Sequence, residues 1–114
     1  MTTLTKTFAA LSDDTRLTLV EKLLKRGELP AGTLAAEAEI SAPAISRHLK
    51  VLREAGVIVQ RVEGTHRYYS VQPDALRAIH GWTMDHRAFW SGSLDRLDTL
   101  LALEPDDTPG EGTE

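Results

Sequence analysis

The 114 residues carry 13 basic and 17 acidic side chains, a net charge of −4, and no cysteine. That length supports one domain with a modest core and leaves little room for a deep catalytic cleft, a shortage that dimerisation would relieve. The acidic balance argues against a general polyanion binder, and the missing cysteines exclude disulfides, thiolate metal sites and a cysteine nucleophile.

Leu4, Phe8 and Leu11 are spaced for one face of a short first helix, with the polar residues between them turned to water or a partner subunit. Ser12-Asp13-Asp14 then marks a new helix start, because the hydroxyl or the first carboxylate can accept from unpaired first-turn amides. This second helix is expected to reach Arg26 on a stripe of Leu17, Val20, Leu23 and Leu24, with Gly27 closing it. Leu29-Pro30 reads as a short edge strand, since proline cannot donate in a central ladder. Thr33 to Ala38 is an alanine-rich helix too short to persist unless packed, and Glu39-Ile40-Ser41 turns into the next one.

From Ser41 to Val71 the chain reads SAPAISRHLKVLREAGVIVQRVEGTHRYYSV. Ser41 can cap a helix, Pro43 sits where its missing N–H matters little, and Gly56 fits the left-handed stop after Ala55. Ile45, Leu49 and Leu52 share one face, while Pro43, Arg47 and Lys50 gather on the other. Two helices joined by a turn of about four residues form a helix-turn-helix, whose second member enters a major groove. Val57 to Val62 and Tyr68 to Val71 have strand character around a tip at Gly64-Thr65-His66. Between Ser41 and Ser70 five cations, Arg47, Lys50, Arg53, Arg61 and Arg67, face two acids, Glu54 and Glu63. The segment is basic although the chain is not.

Pro73 opens a last amphipathic pattern of about thirty residues, running through Leu76, Ile79, Trp82, His86, Trp90, Leu94, Leu97 and Leu101. One helix of that length cannot bury its stripe inside so small a domain, so part of it is expected to pair with a second subunit. Gly81 and Gly92 are the expected bends. Residues 104–114 crowd Glu104, Asp106, Asp107, Glu111 and Glu114 with no basic residue, and read as an acidic disordered tail after a domain of residues 1–103. No apolar run approaches the roughly 20 residues that cross a bilayer, and MTTLTKTF lacks a signal-peptide core, so a cytoplasmic protein without membrane contact is expected.

FAALSDDTRL, SRHLKVLREAGVI and GTHRYY together resemble the ArsR/SmtB family of winged helix-turn-helix repressors, over about residues 3 to 103. The resemblance implies a mostly α fold with a small antiparallel β-hairpin, dimerising through terminal helices. It implies a homodimer that binds double-stranded operator DNA and changes its grip when an effector arrives. Ser41 to Ala55 would be the recognition helix and Arg61 to Tyr69 the wing. Family members named for metals use a cysteine pair or acid and histidine ligands on the last helix. Here Asp85 and His86 are adjacent and no histidine follows, so no metal site and no cofactor are expected, and Trp82 to Leu101 looks like the branch without metal ligands.

The expected DNA surface comprises Ser41, Pro43, Ala44, Ser46, Arg47, Lys50, Arg61, Thr65, His66, Arg67 and Tyr68. Arg47 can fork onto a guanine edge or a phosphate, whereas Lys50, Arg61 and Arg67 suit phosphate, Arg67 also the minor groove. His48, at the edge of the apolar stripe, is given packing or hydrogen bonding instead. Trp82, His86, Phe89 and Trp90 read first as dimer core and second as an effector pocket. No hydroxyl-histidine-acid arrangement stands out by spacing, so no enzyme is expected. Two rivals remain: a metal-responsive repressor of the same fold using His80, Asp85, His86 or Asp95, and a protein-interaction module without specific DNA binding.

Overall fold

Thr2 accepts the Thr5 amide and opens α1 (Thr3–Leu11) in a computed structural model that describes residues 2–103; the expected acidic tail lies outside them. α1 buries Thr7 and Ala10; of the expected stripe Leu11 packs half-buried against the core and Leu4 is half-buried, whereas Phe8 is 42% exposed. Small side chains let α1 approach α2 and α4 closely, and the Thr7 hydroxyl donates to the Thr3 carbonyl at 2.8 Å, so its burial leaves no dry polar group. Of the two capping candidates the carboxylate wins. Asp13 accepts the Arg16 amide at 3.0 Å to start α2 (Asp14–Arg26), while Ser12 closes α1 on the Ala9 carbonyl.

α2 buries Leu19, Val20 and Leu23, whereas Leu17 and Leu24, expected inside, are 41% and 51% exposed. Its apolar residues cover more than one stripe, and the packed neighbours select the one containing Leu19. Gly27, at φ 82°, ends the helix. β1 (Leu29–Pro30) pairs antiparallel with a later strand at the edge of a three-stranded sheet. α3 (Ala31–Ala38) starts two residues before the expected Thr33 because Pro30 already stands as its N-cap; it seats Leu34 at 0% exposure. Glu37 holds α3 to α2 through Lys22 at 3.0 Å and Arg26 at 2.6 Å.

α4 (Ala42–Glu54) begins where Ser41 accepts the Ala44 amide at 3.2 Å, and it buries Ile45, Leu49 and Leu52. Its end is a Schellman turn. The Gly56 amide bonds Arg53, the Val57 amide bonds Leu52, and the fully buried Val57 and Leu52 supply the accompanying apolar pair. β2 (Ile58–Glu63) and β3 (His66–Val71) pair from Ile58↔Val71 to Glu63↔His66, giving the sheet order β1-β3-β2. The turn is therefore Gly64-Thr65 alone, with Gly64 at φ 62°, and His66 belongs to the strand.

α5 (Pro73–Asp85) follows, with Ala75 in the core and the Gln72 amide bonded to the Val57 carbonyl at 2.8 Å. α6 (Arg87–Leu103) is a separate helix, so the expected thirty-residue rod breaks at His86, not at Gly81 or Gly92. The cause is local competition. The His86 ring Nδ1 lies 2.7 Å from the Trp82 carbonyl that the helical backbone needs, and the His86 amide bonds Thr83 instead. The chain divides into two units between His80 and Gly81. In the first, Leu19, Leu34, Ile45, Leu52, Val57 and Ile58 are each at most 2% exposed, and each such side chain contributes about 1.5–3 kcal/mol by leaving water. In the second, α6 buries none of its residues.

Candidate nucleic-acid interface

A groove of about 200 Å³ runs between α4 and β3, lined by Ser46, Lys50, Arg53, Arg67 and Tyr69. Two segments that the sequence separates by some fifteen residues thus share one cationic surface. Strand alternation explains why Arg67 is there: it lies on the sheet face of Tyr69, which is 6% exposed and belongs to the core. Gln60, the cross-strand partner of Tyr69, fixes this corner. Its carbonyl oxygen accepts from the Tyr69 hydroxyl at 2.9 Å and from Arg53 at 2.5 Å. Arg53 is thereby a tie between helix and sheet. Neither Gln60 nor this use of Arg53 was expected from sequence, although counting outward from a two-residue turn pairs positions 60 and 69.

The side chains of Arg47, Lys50 and Arg67 are exposed and make no ion pair or hydrogen bond among the described residues. At the start of the same helix Ser41 and Pro43 are exposed and Ala44 half-buried, the Ser41 hydroxyl being the observed cap. Ser46 faces the groove. The unused amides of that first turn and the positive end of the helix dipole add to the attraction for an anion. His48 faces the other way, half-buried, with Nδ1 at 3.4 Å from Arg16 and 3.9 Å from Asp13. The Arg16 amide, then the nearby Arg16 and His48 charges, hold the Asp13 carboxyl below its usual range.

The remaining wing residues lie on the opposite sheet face or at the tip. Arg61 and Tyr68 are cross-strand partners, and the guanidinium sits 4.6 Å over the Tyr68 ring. Arg61 is also forked on Glu28, at 3.0 and 2.8 Å, and reaches Glu63 at 3.2 Å. These hydrogen bonds, Glu28 first, raise its affinity for its own proton, and in return Arg61 lowers the pKa of Glu28. Thr65 is exposed in the turn, and the His66 ring is 6.2 Å from that of Tyr68.

In the second unit the four expected aromatic and histidine residues form two ring pairs. Trp82 and His86 are 4.8 Å apart, and Phe89 and Trp90 meet edge to face at 5.3 Å. Trp82, Phe89 and Trp90 are 41%, 62% and 45% exposed, so none of the three is buried among the described residues. Among the described residues no three of His, Cys, Asp and Glu gather where they could hold a metal ion, and no helix is long and apolar enough to cross a membrane.

A family model for the bacterial regulatory proteins of the arsR family matches residues 13–59, from the cap of α2 into β2. Over 103 residues the chain is 39% identical to the HTH-type transcriptional regulator Rv2034 of Mycobacterium tuberculosis, covering 90% of this chain and 92% of that one. It is 38% identical over 78 residues to the transcriptional repressor SdpR of Bacillus subtilis, with 68% and 86% covered. The solved structure of an ArsR-like transcriptional regulator from a Rhodococcus species superposes with a TM-score of 0.67 at 28% identity, covering 86% of this chain and 92% of that one. The winged helix-turn-helix, its free cations on one helix and one strand, and these likenesses converge: the chain is a DNA-binding transcriptional regulator and belongs to the ArsR family.

Proposed function

We propose that the protein acts as a homodimeric repressor in the cytoplasm, holding operator DNA with two copies of the α4–β3 surface until an effector loosens it. The observation that carries this reading is a set of three cations whose side chains are unpaired among the described residues: Lys50 and Arg67 lining one groove, and Arg47 exposed on the same helix as Lys50. α4 enters the major groove with Arg47 on a base edge or phosphate and Ser41, Pro43, Ala44 and Ser46 along its leading turns. Lys50 holds backbone phosphate, and Arg67 with Thr65 and His66 at the wing meets phosphate or the adjacent minor groove.

Dimerisation fits the surface of the second unit. Leu94, Leu97, Leu100 and Leu101 are 50–62% exposed on α6, a stripe that water does not favour and a second copy would cover. The aromatic pairs belong to that interface, and residues 1–103 then carry both DNA binding and dimerisation. Two copies about a two-fold axis place their half-sites roughly 10 base pairs apart.

The test is selection of duplexes from a random pool by the full-length protein, followed by binding titrations from 50 to 200 mM salt. A palindromic preferred sequence is expected, with log affinity falling linearly with log salt at about 0.9 per phosphate held. Recovery of no preferred sequence, with equal binding to every duplex, would refute operator recognition.

A further inference from the structure

Arg61 stands apart from the three free cations because its charge is already spent inside the molecule. Glu28 precedes β1 at one edge of the sheet, Arg61 lies on β2 at the other edge, and Tyr68 lies on β3 between them. The side chain of Arg61 crosses the middle strand over the Tyr68 ring and ends in a two-bond fork on Glu28. A third bond returns to Glu63, the last residue of β2 before the turn. One guanidinium therefore contacts β2, β3 and the residue that leads into β1, on the sheet face opposite the core.

The position matters for the wing. β1 pairs only with Tyr69 and Tyr68, so from Val62↔Arg67 to the turn the hairpin is two-stranded, and an unsupported two-stranded hairpin is marginal in water. Val62 is 58% exposed, and the wing tip has no buried residue to anchor it. Such a hairpin can twist about its root, and the twist decides where Arg67 points. Tyr69, Gln60 and Arg53 secure that root on the core face. On the outer face the crossing of Arg61 to Glu28 is the corresponding restraint.

We propose that Arg61 is a positioning residue: a strap from Glu28 over Tyr68 that fixes the wing angle at which Arg67 meets DNA, and not itself a phosphate contact. The fork is chemically suited to this, since a guanidinium holds a carboxylate in a defined plane and stacks on an aromatic face, which an ammonium does not do. The proposal rests on the operator-binding reading for its effect on DNA and on the free protein alone for the strap itself.

Glu28→Gln is the deciding variant, tested with Arg61→Gln, Arg61→Lys and the double variant Glu28→Gln with Arg61→Gln. Removing a negative charge would by electrostatics alone tighten any DNA complex. With the strap, Glu28→Gln instead weakens binding to the duplex selected by the wild type, by about two- to fivefold, the range for an exposed but well-oriented ion pair. Random duplex is then bound no less tightly, Arg61→Lys does not restore selectivity, and the double variant matches Arg61→Gln. Tighter binding by Glu28→Gln, together with a salt slope about one unit shallower in Arg61→Gln, overturns the proposal and makes Arg61 a phosphate contact. If no duplex is selected at all, operator recognition fails, and amide hydrogen exchange in the free protein decides the strap. Exchange at residues 62–67 accelerates alike in Glu28→Gln and Arg61→Gln if it exists, and wild-type exchange in Glu28→Gln overturns it.

Discussion

α4 and α6 are amphipathic helices of 13 and 17 residues with opposite fates. α4 hides Ile45, Leu49 and Leu52 at no more than 2% exposure, while α6 leaves Leu94, Leu97, Leu100 and Leu101 at least half exposed. A helix whose apolar stripe is satisfied within its own chain is rigidly mounted, and its polar face is free to meet a ligand. One whose stripe is unsatisfied carries a demand for a partner. The first therefore presents chemistry, and the second, in the proposed reading, counts subunits.

The largest effects separate the two. Leu52→Ala leaves a cavity under α4 and is expected to lower the unfolding free energy by about 2–5 kcal/mol in urea titrations, with wing and helix lost together. Leu97→Asp, by contrast, is expected to shift the monomer–dimer midpoint in sedimentation about tenfold or more, since a charge would enter a covered stripe. Unchanged sedimentation in Leu97→Asp would place the subunit contact elsewhere.

A smaller pair of effects divides the polar face of α4. Arg47→Ala is expected to weaken the selected duplex by about 1–3 kcal/mol and to broaden its sequence preference. Lys50→Ala should weaken selected and random duplexes alike and make the salt slope shallower by about one. Binding assays on both duplexes at two salt concentrations distinguish these. Equal loss on both duplexes for Arg47→Ala would make it a phosphate contact as well.

What could be read from the sequence was chemistry that acts within a few residues. The Ser41 cap, the Gly56 stop and the left-handed Gly64 each announce themselves by residue type, because backbone geometry there restricts the choice. The helix-turn-helix and its hairpin followed from such signals, and the regulatory family from the resemblance of FAALSDDTRL, SRHLKVLREAGVI and GTHRYY to the ArsR/SmtB repressors. Contacts between distant positions did not: Glu28 and Arg61 are 33 residues apart, Arg16 and His48 are 32, and no periodicity reports either. The choice of Leu19 over Leu17 was hidden for a related reason, since several faces of α2 are apolar and only its neighbours decide between them. At His86 a side chain outcompeted the backbone for the Trp82 carbonyl, and glycine positions could not foretell that.

The smallest expected effect sharpens how α3 is held in the well-packed half. Glu37 receives Arg26 on both carboxylate oxygens at 2.6 Å and Lys22 at 3.0 Å. The Arg26 hydrogen bonds, then that of Lys22, hold its carboxyl below the usual glutamate range. A carboxyl lowered by folding adds stability above its unfolded pKa, about 4.3, and loses it as pH falls through the folded value. Glu37→Gln should therefore flatten the acid limb of a melting-temperature profile below about pH 4.3 while leaving the curve near neutrality parallel to wild type. The side chain is 34% exposed, so solvent screening keeps the change well under that of Leu52→Ala. Superimposable acid limbs would mean that α3 is held by Leu34 and its apolar neighbours alone, and that the ion pairs across α2 and α3 only decorate a contact the core already makes.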